Sequence, residues 1–167
     1  MICSFARLLP IFVQLEAVFI EPKYLEGKRA DAQIYFTTDV SLMDVQVTHP
    51  AAPYYAISTN IAPTPLGTAR SREVAKHTKY DKQAKKEGAS FYPFVMETYG
   101  GLGKEAGVLV QKISKLYAES SPFPINRNTF TTTMLKAFNI TLQKGNALVQ
   151  VAGCIAARNA AGERVGY

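Results

Sequence analysis

RADAQIYFTTDVSLMDVQVTHP, residues 29–50, decides how this chain is read. Ala32 to Phe36 and Leu42 to Val47 both carry strand patterning, the second with strict alternation in MDVQV. Thr37-Thr38-Asp39 between them can close a tight turn. A turn at Thr37-Thr38 sets Asp31 opposite Asp44 and points both to one side of the hairpin. Two carboxylates held that close repel each other in an apolar setting, so they need a cation between them. A hard divalent ion such as Mg²⁺ suits the pair, bound by few carboxylates together with water and phosphate oxygens. The same pattern also fits two solvated carboxylates flanking a hairpin, and a slip of one residue would turn one Asp to the other face.

Upstream, Val13 to Ile20 reads as a first strand, ended by Glu21-Pro22 and a polar loop. Downstream, residues 49–67 are rich in Pro, Ala and Ser and read as a long irregular connection. A helix is predicted from Ser71 to about Glu87, with Gly88 as its stop. Phe91 to Thr98 is more uniformly apolar, as a buried parallel strand would be. Helices follow over Lys104 to Glu119 and from about Thr129 to Arg158, with Gly145 a candidate break.

That order predicts an α/β fold with a mixed sheet. Three sequential strands form an antiparallel meander, and a crossover helix places the fourth strand parallel to a neighbour. C-terminal helices complete it. Residues 1–120 are expected to hold the α/β core, short of a first helix, and 121–167 to form a C-terminal helical extension packed on it. At 167 residues the chain can build one hydrophobic core and not comfortably two.

Residues 1–69 carry four Lys/Arg against six Asp/Glu, net −2, while the remainder carries fifteen against seven, net +8. A basic body with an acidic front suits phosphodiester chemistry, with cations for the backbone and carboxylates for a metal. It also fits a basic surface kept for solubility. No uninterrupted run of about 18 apolar residues occurs, so no membrane-spanning helix is expected. In MICSFARLLPIFVQLEAVFI, Gln14 and Glu16 interrupt the apolar stretch and no small-residue cleavage site follows, which argues against a secretory signal. A chain that enters its core this soon is expected to be a fragment of something longer. Cys3 and Cys154 lack metal-ligand spacing, and Cys154, in an apolar helical run, is expected to be buried.

The helix SREVAKHTKYDKQAKKEG, residues 71–88, supplies the second half of a candidate site. Glu73, Lys76, Lys79, Tyr80 and Gln83 recur at three- and four-residue steps and share one face. A lysine there can hold a phosphate, stabilise developing negative charge or orient an attacking water. Lys82, Lys85 and Lys86 lie further round, where they suit solvent or nucleic-acid backbone contacts. GGLGKEAG, residues 100–107, lacks the Ser/Thr and the spacing of a phosphate-binding loop and reads as a strand-to-helix turn. His49 before Pro50 reads as a loop histidine capping a strand end.

RADAQIYF, MDVQVTHP, EVAKHTKY, ASFYPFVMETYGGLGKEA and LQKGNALV occur in that order over about residues 20–152. Their succession resembles the region downstream of the polymerase in retrotransposon-encoded reverse transcriptases. The strand order also resembles the restriction-endonuclease-like, or PD-(D/E)XK, core. That resemblance implies Asp31 and Asp44 as metal ligands, with Glu16 or Glu21 in place of the glutamate of a mostly missing first helix. Ala30 stands where proline is usual and Gln46 where the third motif has lysine. The resemblance therefore draws the lysine from the next helix, where Lys76 or Lys79 would contact the scissile phosphate and Tyr80 would orient it.

The resulting expectation is a Mg²⁺-dependent, endonuclease-like domain of a retroelement polyprotein. Its partners would be DNA or RNA and a polymerase domain in the same polyprotein, inside the cell and nuclear in a eukaryotic host. The alternative is a non-catalytic nucleic-acid-binding or scaffolding remnant of such a polyprotein.

Overall fold

The hairpin forms in the register its alternation sets. Strands β2 (Arg29–Tyr35) and β3 (Val40–Thr48) run antiparallel, paired Ala32↔Met43, Gln33↔Leu42, Ile34↔Ser41 and Tyr35↔Val40. The Phe36 N–H closes the turn on the Asp39 carbonyl at 2.8 Å. On the other side of β2, β1 (Phe12–Val18) pairs antiparallel. The computed structural model describes residues 12–18, 29–56, 64–121 and 126–160, the first of these as backbone alone.

From β3 the chain passes through a short helix α1 (Pro53–Ala56) and the long α2 (Gly67–Lys86). It returns as β4 (Ser90–Glu97), parallel to β3 from Ser41↔Ser90 to Thr48↔Glu97. The sheet order is β1-β2-β3-β4, followed by α3 (Lys104–Ser120) and α4 (Arg127–Ala160). The meander, the crossover helix and the parallel fourth strand match the topology that the strand patterning predicts. Helix α1 differs from expectation, since residues 49–67 read as irregular. Pro53 at its first position loses no needed N–H, and buried Tyr55 anchors it, its hydroxyl 3.2 Å from Thr48 Oγ1.

Alternation along the strands gives the sheet two apolar faces. Ala32, Ile34, Met43, Phe94 and Met96 pack with Leu109 and Ile113 of α3 and with Phe130, Met134, Phe138 and Leu142 of α4. On the opposite face Leu42 and Phe91 meet Tyr80 and Ala84 of α2, with Ala30 beside them. The second cluster is the smaller, because α2 is mostly polar and buries few side chains besides Ala69, Tyr80 and Ala84. Its end is sharp. Gly88 adopts φ 64°, its N–H meets the Lys85 carbonyl at 3.2 Å, and the Ala89 N–H reaches the Ala84 carbonyl at 2.9 Å. That double bond pattern is a Schellman stop, which a left-handed glycine permits.

Two expectations about the last helix are corrected. Gly145 does not break α4, which runs unbroken for 34 residues, about 51 Å at 1.5 Å per residue. Its residues 147–160 are all exposed, so Cys154 is an exposed free thiol and not a buried one. The apolar run that holds Cys154 simply extends past the sheet and finds nothing among the described residues to cover it.

Candidate functional site

Asp44 sits at the middle of β3, opposite Pro93 of β4, and is only 5% exposed. It shares the face of Leu42, so it points toward α2. There the Lys76 ammonium donates a hydrogen bond to its Oδ2 and forms an ion pair with it. A carboxylate this buried would be costly alone, and a lysine arriving from the facing helix offsets that cost. Gln46, two residues further along the same face, is half-buried.

Asp31 lies one residue beyond the last β2–β3 pair, Ala32↔Met43, so the predicted pairing with Asp44 falls past the end of the ladder. The two carboxylates meet different surroundings. Asp31 is exposed, and its Oδ2 accepts the Val45 backbone N–H at 2.6 Å. The hairpin therefore fastens the exposed Asp31 carboxylate to the residue next to the buried Asp44. Glu21 lies outside the described residues, and of Glu16 only the backbone is described.

The remaining helix candidates divide by depth. Tyr80 is 2% exposed and packs against Phe91 with ring centroids 5.1 Å apart. Lys79 is exposed, donates to the Tyr80 hydroxyl at 2.8 Å and lies 4.6 Å from the centre of that ring. The Tyr80 hydrogen bond, with help from the Asp44 charge, holds the Lys79 ammonium above the usual lysine range despite partial desolvation. Lys82, Lys85 and Lys86 are exposed on the outer side of α2.

Two buried acids join this face without having been singled out as ligands by their sequence. Glu73 Oε1 accepts the Glu105 N–H at 2.9 Å, at the first turn of α3. Burial pushes the Glu73 carboxyl above its ordinary value, a shift that the Glu105 N–H opposes. Glu97, ending β4, accepts the Thr68 hydroxyl at 2.5 Å and the Ala69 N–H at 3.3 Å at the start of α2. Both acids satisfy orphan N–H groups of helix starts, where the macrodipole favours negative charge. Glu73 could be placed on the inner face of α2 from its spacing. The capping role of Glu97 had no sequence signal, because its helix lies 28 residues upstream.

The site as built is thus a buried acid, a surface acid and a lysine between sheet and helix. Its acids offer carboxylate oxygens, and that chemistry fits a hard divalent cation; the His77 ring of α2 packs edge-on to Phe91 nearby, with centroids 5.7 Å apart. Among the described residues, no three or more His, Cys, Asp or Glu side chains gather in a metal-binding arrangement. No protein-family model matches the chain, and no curated protein is found to be similar to it.

Proposed function

We propose that this chain is a restriction-endonuclease-like domain from a retroelement polyprotein, acting on phosphodiester bonds of nucleic acid with a divalent metal. The observation that carries the reading is the meeting of Lys76 from α2 with Asp44 of β3. Gln46 leaves the strand without the lysine such a site needs, and the neighbouring helix supplies one at the adjacent acid. The meander, crossover and parallel β4 support the same fold reading.

In this reading Asp31 and Asp44 would hold Mg²⁺. Bound there, the ion would polarise a phosphoryl oxygen and lower the pKa of a coordinated water. Lys76, released in part from Asp44, would turn its ammonium toward a non-bridging phosphate oxygen. Tyr80 backs that lysine, its ring centre 5.9 Å from the Lys76 nitrogen. Lys79 carries its charge to the rim, and Lys82, Lys85 and Lys86 would meet the nucleic-acid backbone. The polymerase would lie in the same polyprotein.

Nicking of plasmid DNA, measured in Mg²⁺ and in Mn²⁺, tests this directly. Wild type should nick, and Asp31→Asn, Asp44→Asn and Lys76→Ala should each abolish nicking. Absence of nicking in both metals sinks the enzymatic reading.

A non-catalytic nucleic-acid-binding role is favoured by one observation: both carboxylates already have partners, Asp31 in the Val45 N–H and Asp44 in Lys76. That role predicts salt-sensitive binding without cleavage, unchanged by Asp31→Asn.

A further inference from the structure

Tyr99 is 73% exposed, yet the backbone that carries it is tied down on several sides. The Thr98 N–H donates to the Thr48 carbonyl at 2.9 Å, and the Gly100 N–H donates to the Glu97 carbonyl at 2.8 Å. The Thr98 carbonyl accepts the Asn146 amide at 2.8 Å and the Gln143 amide at 3.4 Å, both from α4. His49, just past β3, lies edge-on to the Tyr99 ring with centroids 5.4 Å apart, and its Nδ1 is 2.7 Å from Thr98 Oγ1. An exposed ring on a fixed turn gains little from folding. Held ready in this way, it suits stacking against a partner, because little further ordering is needed on binding.

Beside these rings runs a groove of about 610 Å³ lined by Val47, Ala147 and Val149 and by Gln143, Asn146 and Gln150. Among the described residues, no Asp or Glu lines it. It lies at the carboxyl ends of the parallel strands β3 and β4, where open α/β sheets place their ligands. Val47 faces the α3–α4 side of the sheet, so the groove is separate from Asp44 and Lys76. His49 follows Asp44 by five residues, about 16 Å along an extended strand.

Apolar walls, a flanking aromatic, side-chain amides and, among the described residues, no carboxylate match a flat heterocycle with a hydrogen-bonding rim and an anionic tether. We propose that this groove takes an unpaired base of a single-stranded nucleic acid, stacked on Tyr99. The proposal rests on the nucleic-acid reading above and sharpens its substrate to single strands or locally unpaired segments. Bases in a duplex remain stacked on one another and cannot offer their faces to the ring.

The chain has no tryptophan, so Tyr99→Trp adds a single emission reporter while keeping an aromatic surface. Anisotropy of a labelled oligo(dT) strand and of a labelled duplex gives the affinities. Tyr99→Ala should weaken single-strand binding about tenfold and leave duplex binding unchanged. Val149→Glu, at an exposed position, should weaken single-strand binding too by placing a carboxylate in the groove. Tyr99→Trp should retain affinity, with its emission quenched as the strand binds. Equal single-strand affinity for wild type and Tyr99→Ala, or unquenched tryptophan with the strand bound, overturns the pocket and leaves the nucleic-acid reading standing. Failure of wild type to bind any oligonucleotide overturns both.

Discussion

Replacing Lys76 by methionine keeps most of the side-chain length and removes the charge that faces Asp44. The Asp44 side chain is 7% exposed and that of Lys76 20%. Removing one partner of a fully buried pair costs about 3–5 kcal/mol, because the remaining charge is left uncompensated. Here water reaches the lysine end of the pair and screens it, which lowers the expected cost to about 2–3 kcal/mol. Urea denaturation at pH 7, followed by far-ultraviolet circular dichroism, reads this as a midpoint lowered by about 1–2 M at a typical slope. Asp44→Leu combined with Lys76→Met removes both charges and should recover more than about 1 kcal/mol relative to Lys76→Met alone. A single variant within about 0.5 kcal/mol of wild type, or a double variant equal to the sum of the singles, would refute the buried pair. The catalytic reading would then lose its lysine as well.

Glu73 gives a pH prediction. Its carboxyl is pushed above the ordinary glutamate value of 4.5 in the fold, so the folded chain binds the proton more tightly than the unfolded one. Its contribution to stability is full below pH 4.5 and is lost as pH rises through the raised value. Glu73→Gln keeps an acceptor for the Glu105 N–H and should flatten that fall in a series of urea midpoints across pH. An unchanged profile would show that Glu73 titrates normally. Gly103 lies against the same carboxylate: a Cβ there would overlap Glu73 Oε1 and stand 3.1 Å from the Val95 carbonyl oxygen. Gly103→Ala should therefore destabilise by about 1–3 kcal/mol, and a thermal midpoint equal to wild type would exclude that close approach.

Much of the fold followed from local pattern. MDVQV alternates between the two faces of β3, Met43 packing with α3 and α4 and Asp44 meeting α2, while Val45 and Val47 stay largely exposed. Gly88 ends α2 because its backbone can turn left-handed where the helix needs a stop. Gly145 misled for a related reason. A helical glycine costs only about 1 kcal/mol relative to alanine, too little to interrupt a helix whose neighbours favour it. Cys154 misled differently, since an apolar run does not contain the surface that would bury it.

The acidic hairpin and the lysine-rich helix were both written in the sequence, and so was the hairpin register from Tyr35↔Val40 to Ala32↔Met43. Side-chain period and turn chemistry are local, and they determine which residues can share a face. The tertiary structure alone decided that Asp44 is buried against Lys76 while Asp31 stays at the surface on the Val45 N–H. It also decided that Glu73 and Glu97 cap helix starts rather than stand free. Each of these contacts joins residues 14 to 32 positions apart. Their geometry depends on how α2 crosses the sheet, and no local periodicity encodes that crossing.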